Sequence, residues 1–200
     1  MAKRKYLLES EVKAIIDAIP LGTNYYRDRC LIMVCYFHGL RVSELRQLKI
    51  DDIHDEHIFI TRLKKGLSTT HPLQKCEKEA IRLWLEERKT WLNSDTPWLF
   101  LSQHGKPLSR QQIYELMKKY GAVAKLDVKV HPHMLRHACG FALANKGKDT
   151  RLIQDYLGHR NIQHTVIYTA TNSARFKTIN FDVGANSSDS SGMLEDYTDR

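Results

Sequence analysis

Residues 30–37 (CLIMVCYF) form an unbroken apolar run inside a stretch, residues 25–38, that contains neither glycine nor proline. The run is far short of the roughly 20 residues that a bilayer span requires. A helix that is apolar on every side belongs in an interior, so the run reads as a buried helix over residues 25–38, stopped by Gly39. Residues 7–19 place Val12, Ile15, Ile16 and Ile19 on one stripe, with Ser10 as the cap and Pro20 beyond the end, which predicts an amphipathic helix. A short helix over 42–48 puts Arg41 at a sharp interhelical corner.

The period then changes. Residues 57–61 and 68–73 are β-prone and flank a turn of Lys64, Lys65 and Gly66, predicting a small hairpin or three-stranded sheet. Helices follow over 76–89 and 110–124, separated by a short apolar segment (98–101) and a turn at Gly105 and Pro107. The last third reads as helices over 133–145, 150–157 and 163–171. The expected fold is mainly α with a small antiparallel β-sheet, a single domain over residues 1–181 followed by a disordered acidic tail, 182–200.

The 200-residue chain carries 31 Lys and Arg against 23 Asp and Glu, a formal charge of +8. The tail holds five acids and one arginine, so the body has 30 basic and 18 acidic residues, or +12. Charge of that sign points to a polyanionic partner, nucleic acid before membrane, because no polybasic run flanks an apolar stretch. Cys30, Cys35, Cys76 and Cys139 show no CxxC pairing, and MAKRKYLLES lacks the apolar centre of a signal peptide. A reducing, cytoplasmic setting is therefore expected.

Four segments carry chemistry. In HPHMLRHACG (131–140), His133 and Arg136 share a helical face, so an imidazole and a guanidinium converge on one point, such as a phosphate. His131, His133 and His137 could also hold zinc, but no Cys pair or acidic ligand stands nearby. In LGHRNIQHTVIY (157–168), Gly158 ends a helix and exposes His159, and the next helix presents Tyr168. In HGLRVSEL (38–45), Arg41 precedes Glu44 by three residues, which on its own fits a capping arrangement with a surface ion pair. The fourth is the hairpin turn with its two lysines. Each has a plain structural reading when taken alone.

Together and in this order, the four segments resemble the catalytic set of the tyrosine recombinase (phage integrase) family, over about residues 5–172. RLKKGLSTTHPL, LSRQQ, HPHMLRHACGFALA and DTRLIQDYLGHRNI are more closely similar to the enterobacterial fimbrial phase-variation recombinases. The resemblance implies that Tyr168 attacks a DNA phosphodiester to form a 3′-phosphotyrosyl link, with Arg41 and Arg136 on the non-bridging oxygens. It implies His133 as general base or orienting group, His159 as a phosphate hydrogen-bonder, and a turn lysine as general acid. Spacing back from Pro72 favours Lys64, with Lys65 the adjacent alternative. Glu44 matches a supporting acid. No metal or other cofactor is called for.

The implied substrate is double-stranded DNA with inverted repeats, held by a homotetramer on two synapsed sites. The wider family carries an N-terminal helical core-binding domain, whereas at most six residues precede the first predicted helix here. Either the catalytic domain alone clamps the site or accessory DNA-bending proteins supply the missing grip, at the nucleoid of a bacterium. Ser109, Arg110, Gln111 and Gln112 are candidates for entering a DNA groove, although LSRQQ also makes an ordinary helix start. Two competing readings are a catalytically silent DNA-binding regulator, which would bind without forming adducts, and a relaxing topoisomerase. In the family, the segment after the tyrosine packs on a neighbouring protomer, which would here be residues 173–181.

Overall fold

The computed structural model describes residues 4–63 and 68–170. Its elements run α1 (Glu9–Asp17), α2 (Tyr25–Phe37), α3 (Val42–Arg46), a 3₁₀ turn (Ile50–Asp52), β1 (His57–Ile60), β2 (Thr69–Pro72), α4 (Lys75–Arg88), α5 (Arg110–Val123), α6 (Pro132–Asn145), α7 (Thr150–Leu157) and α8 (Gln163–Ala170). The fold is thus mainly helical, with one small sheet. Helix α2 is the axis of the core: Cys30 to Tyr36 are all buried, and the helix packs between α4 and α6. Trp84 of α4 is fully buried, and its indole N–H donates to Leu99 O at 2.9 Å.

The sheet has two antiparallel strands, with Ile60 opposite Thr69 and His57 opposite Pro72, rather than three. The apolar 98–101 segment joins neither strand. It makes isolated bridges from Trp98 to Lys49 and from Leu101 to Pro107. Alternation along β1 buries Ile58 and Ile60 and leaves His57 and Phe59 outside.

Local chemistry sets the helix ends. Helix α1 starts at Glu9, not at a Ser10 cap, because Glu11 reaches back to accept from the Leu8 backbone N–H at 2.7 Å. Asp149 accepts from the N–H groups of Arg151 and Leu152 at 2.8 and 2.9 Å, opening α7. Gly158 closes α7 at φ +65°, a left-handed conformation that other residues enter with strain. Helix α6 opens with Pro132 at its first turn and carries Ala138, Gly140, Ala142 and Ala144, small residues that admit close neighbours. No described helix is long and apolar enough to cross a membrane. The predicted acidic tail, and residues 171–181 before it, lie outside the described residues.

Candidate active site

Two corners of the chain form the floor of the site. One follows α2, where Gly39 turns the backbone at φ +55° so that Arg41 can start α3; the other is the α7 end at Leu157 and Gly158. Arg136, on the buried face of α6 and 4% exposed, ties them together. Its guanidinium donates to Gly39 O and, at 2.7 Å, to Leu157 O. Arg41 donates from the same side, to Gly158 O at 3.2 Å and to Glu44 at 2.7 Å. Burial, with the Arg41 charge beside it, brings the Arg136 pKa down to about 10, so the group remains cationic near neutral pH.

Glu44 is buried between two arginines. One carboxylate oxygen accepts from Arg41, and the other accepts from Arg62 at 2.8 Å and from the Arg41 backbone N–H at 2.9 Å. Burial pulls this carboxyl upward, but Arg62 and Arg41 outweigh it and hold it below the usual carboxylate range. Arg62 had no signal in the sequence. Its side chain is wholly buried and also donates to Tyr156 O. Its Nε has no partner among the described residues.

Tyr168 lies on α8 at 1% exposure. Its ring stands edge-on to Phe141 (centroids 5.0 Å, 85°) and parallel to His159 (6.3 Å, 17°). Its hydroxyl is 2.9 Å from Nδ1 of His137. Burial, assisted by His133 and Arg136, pushes the His137 pKa down to about 4, so the ring is neutral near pH 7, and in the tautomer protonated on Nε2 its Nδ1 accepts a hydrogen bond from the phenol. Burial pushes the tyrosine up to about 12, against the pull of Arg136. His159 sits half-buried just past Gly158, its Nδ1 2.9 Å from the Thr165 hydroxyl. Burial, with Arg136 and Arg41 nearby, lowers its pKa to about 3.

His133 feels the charges of Arg136 and Arg41 but is not against the phenol in this structure. It lies on the exposed side of α6, one turn before His137, with its ring edge-on to His131, and no hydrogen bond joins it to Tyr168 among the described residues. The helix phase explains the difference: residues 133 and 137 share a face, and α8 crosses nearer the second. The sequence clue was the histidine directly after Arg136. His131 faces Tyr114 and His137 faces Tyr168, so the three histidines do not converge. Among the described residues, no three His, Cys, Asp or Glu side chains are grouped as metal ligands.

Lys64 and Lys65 lie outside the described residues, in the link from β1 to β2. Ser109 and Gln112 are engaged with each other: the Ser109 hydroxyl accepts from the Gln112 backbone N–H at 3.1 Å, and Oε1 of the Gln112 side chain accepts from the Ser109 backbone N–H at 2.8 Å. Gln111 donates to Glu115 at 2.9 Å, and Arg110 is exposed at the helix start.

A helical domain with one hairpin, two arginines anchored on paired corners and a tyrosine held by histidine is the catalytic domain of a tyrosine recombinase. Residues 5–175 match the phage integrase family, and the chain belongs to it. The type 1 fimbriae regulatory protein FimB of Escherichia coli strain K12 is 52% identical over 176 residues, covering 87% of this chain and 88% of that protein. FimE of the same strain is 51% identical over 179 residues, covering 88% and 90%. The solved XerH site-specific recombinase, bound to palindromic difH substrate in a post-cleavage complex, superposes with a TM-score of 0.74 at 27% identity. The match covers 86% of this chain and 51% of that one, so this chain spans about half that recombinase.

Proposed function

We propose that this chain is a site-specific DNA recombinase that inverts a segment between short inverted repeats, acting at a fimbrial promoter switch. The observation that carries the reading is the convergence of Tyr168, its histidine partner and the anchored Arg41–Arg136 pair. The phenol oxygen attacks phosphorus and the bond to the 5′-oxygen breaks. His137 takes the phenol proton, and Lys64 or Lys65 gives one to the leaving oxygen. The 3′-phosphotyrosyl bond retains the energy of the broken diester, and attack by the 5′-hydroxyl of the partner strand reverses the step. Four protomers acting in two such rounds pass through a Holliday junction.

Arg41 and Arg136 serve the charge that builds on the non-bridging oxygens, and removing one such donor costs about 3 to 4 kcal/mol of barrier. His159 is placed to add a third donor. Because the phenol is buried at 1% exposure, attack in line with the leaving oxygen requires α8 to shift outward as DNA is engaged. His133, exposed at the mouth, then meets phosphate rather than tyrosine. Arg110, exposed at the helix start, is the member of the LSRQQ segment offered to a groove. Work on a chromosomal switch places the protein at the bacterial nucleoid, with DNA-bending partners supplying further grip.

The fimbrial substrate is favoured by similarity to FimB and FimE, both named as type 1 fimbriae regulatory proteins, over nearly nine-tenths of each. The test is Tyr168→Phe on nicked duplexes that trap the covalent state. Wild type gives protein–DNA adducts and the variant gives none; adducts from the variant would remove Tyr168 as nucleophile. A silent DNA-binding regulator would give none from either.

A further inference from the structure

Tyr156, in the last turn of α7, has no part in the chemistry above, yet it touches both corners that hold Arg136. Its hydroxyl donates to Phe37 O at 2.9 Å, at the end of α2 and two residues before Gly39. Its own carbonyl accepts from Arg62, and the next carbonyl along, Leu157 O, accepts from Arg136. The last carbonyls of a helix have no partner within it. At this end Val34 O, Cys35 O and Tyr36 O each accept a backbone N–H of residues 38–40, whereas Phe37 O accepts from the Tyr156 hydroxyl and, at 3.5 Å, from the Cys139 thiol. Burial pushes the Tyr156 phenol up, so its proton stays in place as the donor.

The ring is held as well as the hydroxyl. It stacks on His71 (centroids 3.8 Å, 25°), which is 2% exposed and meets the Thr69 hydroxyl through Nε2 at 2.9 Å. His71 Nδ1 is 3.3 Å from Nδ1 of His38, whose Nε2 is 2.7 Å from Oε1 of Glu77 in the first turn of α4. Burying a carboxylate and two imidazoles is unfavourable, and a well-packed apolar cluster of similar volume is often as stable or more so. What this chain provides is a fixed backing for one ring. Through that ring the ends of α2 and α7 are set at one separation, and they carry with them Gly39 O and Leu157 O, which each take an N–H of the Arg136 fork. A guanidinium is planar and rigid, so the spacing of those two carbonyls fixes where its remaining donors point.

We propose that Tyr156 is a positioning residue for Arg136: it sets the separation of the α2 and α7 corners and thereby aims the guanidinium at the non-bridging oxygens of the scissile phosphate. The inference rests on the reading of Arg41 and Arg136 as donors to those oxygens. A misplacement of about 1 Å at a catalytic group can lower a rate about 100-fold, so the defect is large enough to read.

The test compares single-turnover cleavage of two nicked duplexes carrying the sequence that the full chain selects from a random duplex pool. One has the natural phosphodiester at the scissile position; the other has a methylphosphonate, in which a methyl group replaces one non-bridging oxygen and the linkage is uncharged. Less negative charge then builds in the transition state, and the aim of the arginines matters less. Tyr156→Phe keeps the ring on His71 but removes the hydroxyl, and it is expected to cut the phosphodiester about 10-fold more slowly than wild type. Tyr156→Leu removes the ring as well and is expected to lose about 100-fold. Both should come within about 3-fold of wild type on the methylphosphonate. Equal loss on both substrates from Tyr156→Phe, as misfolding would give, overturns the proposal, and so does no loss on the phosphodiester. Arg41→Ala and Arg136→Lys separate the two layers. If either comes closer to wild type on the methylphosphonate and Tyr156→Phe does not, the positioning role alone falls. If neither does, the arginine reading falls and takes this inference with it.

Discussion

Gly140 leaves no room for a side chain, because a β-carbon there would lie 2.6 Å from Cζ of Tyr168. The seat of the tyrosine thus depends on a missing methyl on α6 as much as on the His137 hydrogen bond. Gly140→Ala is expected to destabilise the fold by about 1 to 3 kcal/mol through overpacking. In a Tyr168→Ala background the same change should fall within about 0.5 kcal/mol of neutral, since the conflicting ring is gone. Urea denaturation of the four proteins closes this cycle, and an equal cost in both backgrounds would show that the ring is not the obstacle. Arg41, Arg136, His159 and Tyr168 were singled out by the family resemblance, since spacing alone left each with a plain structural reading, and the fold brings them to one place. His137 and Arg62 were not. Each owes its place to where a distant helix crosses, and that crossing is fixed by packing across the whole core.

At the scale of elements, the ends of helices matter more than their bodies. Helix α7 was legible to the residue because Asp149 and Gly158 mark its termini with opposite backbone chemistry. Helix α1 was not, since Glu11 rather than Ser10 caps its start, accepting from the Leu8 N–H. The hairpin was visible as β-prone segments, yet the number of strands depended on where 98–101 docks, which no local pattern states. Gly158 also sits against Arg62, and a β-carbon there would come 2.8 Å from the guanidinium Nε. Gly158→Ala is therefore expected to cost about 1 to 2 kcal/mol from the left-handed backbone alone, with displacement of Arg62 in addition. Its cleavage rate should fall too, because Gly158 O holds Arg41. A variant with full stability and full rate would contradict this placement.

For the whole molecule, three half-buried or buried histidines govern the response to acid. Burial holds His137 at about 4, His159 at about 3 and His71 at about 2. The unfolded chain takes up protons near the ordinary value of about 6.5, and the fold refuses them until well below it. Their stabilising contribution is complete above that value and is lost as pH falls toward the folded-state values. The urea midpoint should be flat between about pH 7 and 8 and decline below about pH 6, with a shallower decline in His137→Phe; it should fall again at alkaline pH, where burial holds the Cys35 and Cys139 thiols up to about 12. The +12 body adds a salt response: if six or more phosphates are held, DNA affinity should fall about 1000-fold between 50 and 200 mM salt. A filter-binding titration across that range checks it.

Arg136 closes two corners with one guanidinium, on Gly39 O and Leu157 O. That double duty sets an order on how such a lineage can decay. Loss of the tyrosine hydroxyl leaves a buried ring and an intact scaffold, so a descendant can abandon strand cleavage in a single step and go on occupying its sites. Loss of this arginine leaves two buried carbonyls without donors, and the scaffold goes with the chemistry. Inactive descendants should accordingly have a changed tyrosine far more often than a changed arginine.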